Sequence, residues 1–131
     1  PLGIAMNNTG TDVWLSERLM DLMQGKAPLY SIGILFLSTL LLSGVVSNNA
    51  TAVIMTPLAI SIALGMELSV KPFVLAVMFA ANFSFFTPVG YQTNALIYSM
   101  GIYRFKDFLI LGGTISLVLW VLATFLLNTM I

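Results

Sequence analysis

The chain has no cysteine and no histidine, and only 8% of its residues are charged. Without thiols there is no disulfide and no thiolate metal centre. Without imidazole there is no histidine-ligated metal, no Ser–His or Cys–His nucleophile pair and no histidine proton relay. The five basic and five acidic side chains leave a net charge of zero, so nothing points to a nucleic-acid partner or a polybasic lipid-binding patch. Ordinary soluble domains carry about 25% charged residues. Here the few that exist fall in three clusters: Asp12, Glu17, Arg18, Asp21 and Lys26; then Glu67 and Lys71; then Arg104, Lys106 and Asp107. Residues 27–66, 72–103 and 108–131 have none. An ionised side chain at the bilayer centre costs roughly 2.5–3.5 kcal/mol, so a chain that spans lipid moves its charges to the turns. The expected class is an all-α integral membrane protein with the lipid bilayer as its first partner.

The apolar stretches divide by their polar interruptions. Residues 1–10 read as the end of a preceding helix, so the chain is expected to begin partway through a larger protein. Residues 11–26 predict an interfacial amphipathic helix. Thr11 or Asp12 can cap it, Leu15, Leu19, Leu22 and Met23 share one face, and Gly25 and Pro28 end it. Residues 29–66 contain two arms of about 18 and 17 residues around Ser47-Asn48-Asn49, each just short of the roughly 20 needed to span a bilayer. A charge-free Ser/Asn tip is tolerable at membrane depth where it is buried in protein or lines a wet cavity. A re-entrant helical hairpin is therefore preferred here to a pair of full transmembrane helices.

Residues 72–103 predict a discontinuous transmembrane helix. Pro88 removes a backbone donor and disfavours helical geometry at Thr87, and Gly90 loosens the backbone after it. Thr87, Gln92, Thr93 and Asn94 surround this break, and Ala95 to Tyr103 can resume the helix. Asn82 and Ser84 either extend the polar lining or bond to a neighbouring helix. Residues 108–131 predict a final transmembrane helix, with Gly112-Gly113, Thr114 and Ser116 for close helix contact. Two polar interruptions near the bilayer midplane in consecutive segments match the pattern of secondary transporters. Half-helix N-termini there face an anionic substrate, and unwound carbonyls hold Na⁺.

Ser47-Asn48-Asn49-Ala50-Thr51-Ala52 with Thr56-Pro57 resembles the second Ser-Asn-Thr hairpin-tip motif of the divalent anion:sodium symporters. Thr87-Pro88-Val89-Gly90-Tyr91-Gln92-Thr93-Asn94-Ala95 resembles the helix break after that hairpin. Gly101, Tyr103-Arg104-Phe105-Lys106-Asp107-Phe108 and Gly112 resemble the family's last loop and helix. The likeness covers essentially the whole chain. It implies the C-terminal part of a citrate-transporter-like permease of the ion transporter superfamily, holding most of the second of two inverted repeats. The missing N-terminal repeat and a second copy in a homodimer would be its partners.

The resemblance also implies a substrate site of Ser47, Asn48, Asn49, Tyr91, Thr93 and Asn94, and a sodium site of Ser47, Asn48, Thr87, Gly90 and Asn94. No cofactor is implied beyond Na⁺ as coupling ion, and no metal other than Na⁺. Asn49 stands where dicarboxylate carriers of the family have threonine, and Tyr91-Gln92-Thr93-Asn94 stands where they read Thr-Pro-Pro-Asn. The Tyr-Gln-Thr-Asn form is more similar to the branch of sulfate permeases. The expected activity is thus Na⁺-coupled symport of a small divalent anion, sulfate or a dicarboxylate. The alternatives are an exporter of arsenite or another anion, a proton-coupled carrier of the same fold, or a non-transporting structural membrane subunit. An enzyme is not expected, since no base or metal set is present. The expected location is the bacterial inner (plasma) membrane, and the family topology implies that Arg104 and Lys106 are cytoplasmic and the C-terminus external.

Overall fold

The computed structural model describes residues 2–10, 14, 17, 18, 21, 28–89 and 91–130. All regular structure among them is helical. Helix α1 (Leu2–Thr9) leads the chain. Of the interfacial helix expected at 11–26, only Trp14, Glu17, Arg18 and Asp21 are described. They are helical and exposed, with the Arg18 guanidinium 5.6 Å over the Trp14 ring, a cation–π contact at i,i+4. The rest of that expectation lies outside the described residues.

Pro28 opens α2 (Pro28–Ser43) at a position where its missing N–H costs nothing. The chain turns over residues 44–47. Ser47, in extended geometry (φ −60°, ψ 150°), then caps α3 (Asn48–Gly65), its Oγ accepting from Ala50 N at 3.3 Å. The end of α3 is a Schellman cap: Leu68 N donates to Ala63 O at 2.9 Å and Glu67 N to Leu64 O at 3.1 Å. That cap puts Glu67 at φ 56°, in the left-handed region that favours glycine.

Helix α4 (Val70–Asn82) carries Pro72 in its first turn, where proline is tolerated, and ends at Phe83. After an irregular stretch, α5 (Gln92–Ser99) resumes and closes before Gly101, whose φ is 74°. The last helix, α6 (Phe105–Asn128), contains a widened π turn over Phe108–Gly112. It begins inside the third charge cluster rather than after it, because the Asp107 carboxylate accepts from Arg104 N at 2.7 Å and caps the first turn.

Helix α4 is central: α2 and α3 both pack on it, α6 closes against α2 and α4, and α1 lies on α3. The core is built from Ile32, Leu35 and Phe36 of α2, Leu58 and Ile62 of α3, and Phe73 and Val77 of α4. Ala76, Ala80 and Ala81 let the neighbouring backbones come close to α4, the packing mode of helices in lipid. Asn48–Gly65 and Phe105–Asn128 are long and apolar enough to cross a membrane. At 1.5 Å per residue α2 and α3 are about 24 and 27 Å long and α6 about 36 Å, against roughly 30 Å of hydrocarbon.

Candidate functional site

Four helix ends meet at one level of the bundle. The C-termini of α2 and α4 arrive there, and the N-termini of α3 and α5 leave from it. The hydrogen bonds between these ends define the site. Ser43 Oγ lies 2.7 Å from Ala81 O and 2.8 Å from Asn48 Oδ1, so its single proton is shared between α4 and α3. The Ser84 hydroxyl donates to the same Asn48 oxygen at 3.1 Å. Thr87, buried in the break, donates its hydroxyl to Gly44 O at 2.6 Å and so ties the break to the hairpin turn. Asn94 Nδ2 donates to Ser84 O and to Thr87 O, each at 3.2 Å, which folds the first turn of α5 back on the break.

These groups are neutral, and most are oxygens. Among the described residues there is no group of three or more Asp, Glu, His or Cys that could hold a metal ion. What the junction offers is hydroxyl, carboxamide and carbonyl oxygen, with N–H donors at two helix starts. Tyr91, extended at φ −138° and ψ 135°, begins α5 without a side-chain cap, which leaves the first N–H groups of α5 without the cap that Ser47 supplies to α3. At the start of α3, the Ser47 oxygen is already occupied as a cap, while its hydroxyl proton remains available to donate.

The structure sorts the residues expected from the sequence into two sets. Asn48, Thr87 and Asn94 are joined in the hydrogen-bond network of the junction. Ser47, Asn49, Tyr91 and Thr93 are exposed around it, Tyr91 by 46%. Gly90 lies outside the described residues. Asn82 takes no part, since its Nδ2 turns back to Met78 O at 2.7 Å on its own helix. Ser84 goes the other way and is buried in the network.

Two members went unanticipated, Ser43 and Gly44. A Cβ on Gly44 would fall 2.2 Å from Cζ of Phe86, so only glycine leaves room for the ring that covers the turn. A hydroxyl in the last turn of a helix, with glycine directly after it and then Ser47-Asn48, was the available signal. The aromatic residues before the break pack rather than line it: Phe83 has ring centroids of Phe36, Phe79 and Phe85 at 6.0, 6.1 and 6.1 Å.

Comparison with known proteins gives a consistent result. The family model described as citrate transporter matches residues 2–131. An uncharacterized transporter of Synechocystis is 44% identical over 132 residues, covering 100% of this chain and 21% of the relative. Sodium/sulfate cotransporter 1 of Chlamydomonas reinhardtii is 30% identical over 127 residues, 94% of this chain and 14% of the relative. The sodium-dependent dicarboxylate transporter SdcS of Staphylococcus saprophyticus is 30% identical over 118 residues, 88% of this chain and 22% of the relative. The chain thus spans about a fifth or less of the length of these relatives.

Proposed function

This chain belongs to the citrate transporter family, and from that premise we propose that it forms part of a Na⁺-coupled carrier of a small divalent anion, its ion and substrate site lying where the hairpin turn meets the break. One observation carries the reading. Asn48 at the start of α3 joins Ser43 at the end of α2 to Ser84 in the break, without a single ionisable side chain. A hard cation prefers such oxygens, and frayed helix ends supply them inside lipid with no fixed charge to desolvate. The bound cation then offsets the charge of the anion, which takes its donors from the uncapped start of α5 and the Ser47 hydroxyl.

The lengths of the elements favour a re-entrant hairpin. Gly112 of α6 lies against Phe85 of the break, at the level of the hairpin turn. Helix α6 continues for seven residues, Phe105–Leu111, on the far side of that level. At 1.5 Å per residue those residues add about 10 Å. The turn would then stop short of the membrane surface that the start of α6 approaches. Exposed Ser47, Asn49, Tyr91 and Thr93 would complete the substrate side together with the N-terminal repeat of the parent, which works as a homodimer in the inner membrane.

Relatives named for sodium/sulfate and for sodium-dependent dicarboxylate transport leave two substrate classes. Tyr91-Gln92 at the break favours sulfate, because a tyrosine at the opening leaves less room for a carbon chain between two carboxylates. The deciding experiment is uptake of labelled sulfate and labelled succinate by the full-length parent in proteoliposomes, with and without a Na⁺ gradient. Sulfate uptake that requires Na⁺ is the expected result. Succinate uptake alone would reverse the substrate assignment, and uptake of either without Na⁺ dependence would overturn the coupling.

A further inference from the structure

The irregular stretch between α4 and α5 is gripped residue by residue, from several elements at once. Phe83 O accepts from the Ser116 hydroxyl of α6 at 2.9 Å. Ser84 is held by Asn48 of α3 through its hydroxyl and by Asn94 of α5 through its carbonyl. The Phe85 carbonyl meets the backbone of α6 at Gly112, where an added Cβ would stand 1.8 Å from the oxygen. Phe86 lies on Gly44, and Thr87 donates to Gly44 O. Two of these grips, at Phe83 and Phe85, belong to α6.

Further along, α6 also fixes the hairpin. Trp120 Nε1 donates to Gly33 O of α2 at 2.9 Å, and Thr124 Cγ2 would sit 3.4 Å from a Cβ on Gly33. Gly112, Ser116, Trp120 and Thr124 recur every four residues and form one stripe. The same face of one helix therefore holds the break at its upper half and the first hairpin arm at its lower half. The π turn over Phe108–Gly112 rotates the residues before it away from this stripe. Phe108 turns to Tyr98 of α5, centroids 6.0 Å apart, while Gly112 stays on Phe85.

We infer that Gly112 and Ser116 are positioning residues for the ion site. Helix α6 sets the depth of the break relative to the hairpin turn, and this spacing decides how well Asn48, Ser84, Thr87 and the break carbonyls converge on a cation. The inference rests on the proposed ion site. A neighbour provides the control: a Cβ on Gly113 meets nothing within 4 Å, so alanine there changes the same helix without touching the break.

The test is Na⁺ activation of anion uptake by the full-length parent in proteoliposomes, comparing Gly112→Ala, Ser116→Ala and Gly113→Ala at matched amounts of inserted protein. Gly112→Ala is expected to raise the half-saturating Na⁺ concentration about tenfold, since ligands displaced by a fraction of an ångström lose much of their effect. Ser116→Ala should raise it about threefold on the same argument, and Gly113→Ala should leave it unchanged. A general folding defect would lower the maximal rate with half-saturation unmoved, and that outcome overturns the inference. Should Gly112→Ala fail to insert, Ser116→Ala decides by the same readout. A wild-type protein without Na⁺ dependence removes the site reading, and this inference with it, before any variant is measured.

Discussion

The two halves of the broken helix are held in unlike ways. Helix α4 buries Pro72, Phe73, Ala76, Val77, Ala80 and Ala81 between α2, α3 and α6. Helix α5 buries no residue at all. What fixes α5 here is the Asn94 amide on Ser84 and Thr87 carbonyls, and the Tyr98 ring against Phe108. One half is anchored by packing and the other is hung from polar bonds at the site. A segment attached that way can shift without disturbing the core.

The largest expected effect tests the anchored half. Phe73→Ala removes a fully buried ring at the start of α4 and should cost about 3–5 kcal/mol, read as a lowered unfolding temperature in detergent. A shift indistinguishable from wild type would mean that α4 is not held by this core. Next comes the hung half. Asn94→Ala removes both bonds to the break, and at about 1–3 kcal/mol for a lost buried hydrogen-bonding group, Na⁺-dependent uptake by the full-length parent should fall at least about tenfold. Amide exchange in α5 should rise while α4 stays protected; equal exchange in both would dissolve the distinction between the halves.

Thr87→Val keeps the shape and deletes one donor, leaving Gly44 O unpaired in a buried turn. A loss of about 1–3 kcal/mol in stability is expected, smaller than for Phe73→Ala. The smallest effect belongs to the exposed face of α5. Leu96→Ala should change the stability of this bundle by less than about 0.5 kcal/mol. A larger loss in the full-length parent would identify Leu96 as a contact with the part of the protein beyond this chain.

Much of this was legible in the residues. Clusters of charge bounded the apolar stretches, and Ser47-Asn48-Asn49 and Thr87-Pro88 marked the interruptions, because proline, glycine and small polar side chains act on the backbone where they stand. Asn48, Thr87 and Asn94 could be named as polar groups at those interruptions for the same reason. Ser43 and Gly44 could not, since a hydroxyl in an apolar helix and a glycine after it have many local explanations. The pairing of Ser43 with Ala81 and of Gly44 with Phe86 spans about forty residues, and no local pattern encodes it. Gly112 was legible as a close-contact glycine but not as the seat of the Phe85 carbonyl.

By itself the sequence determined the class, the positions of the helix breaks and the neutral chemistry available at them. Those features come from the cost of charge in lipid and from local backbone preferences. Only the tertiary structure decided which oxygens meet, which half of the broken helix is anchored, and that α6 holds the break. Such contacts depend on how far one helix slides along another, and that is set by the packing of Phe73, Ala76, Ala80 and Gly112 taken together.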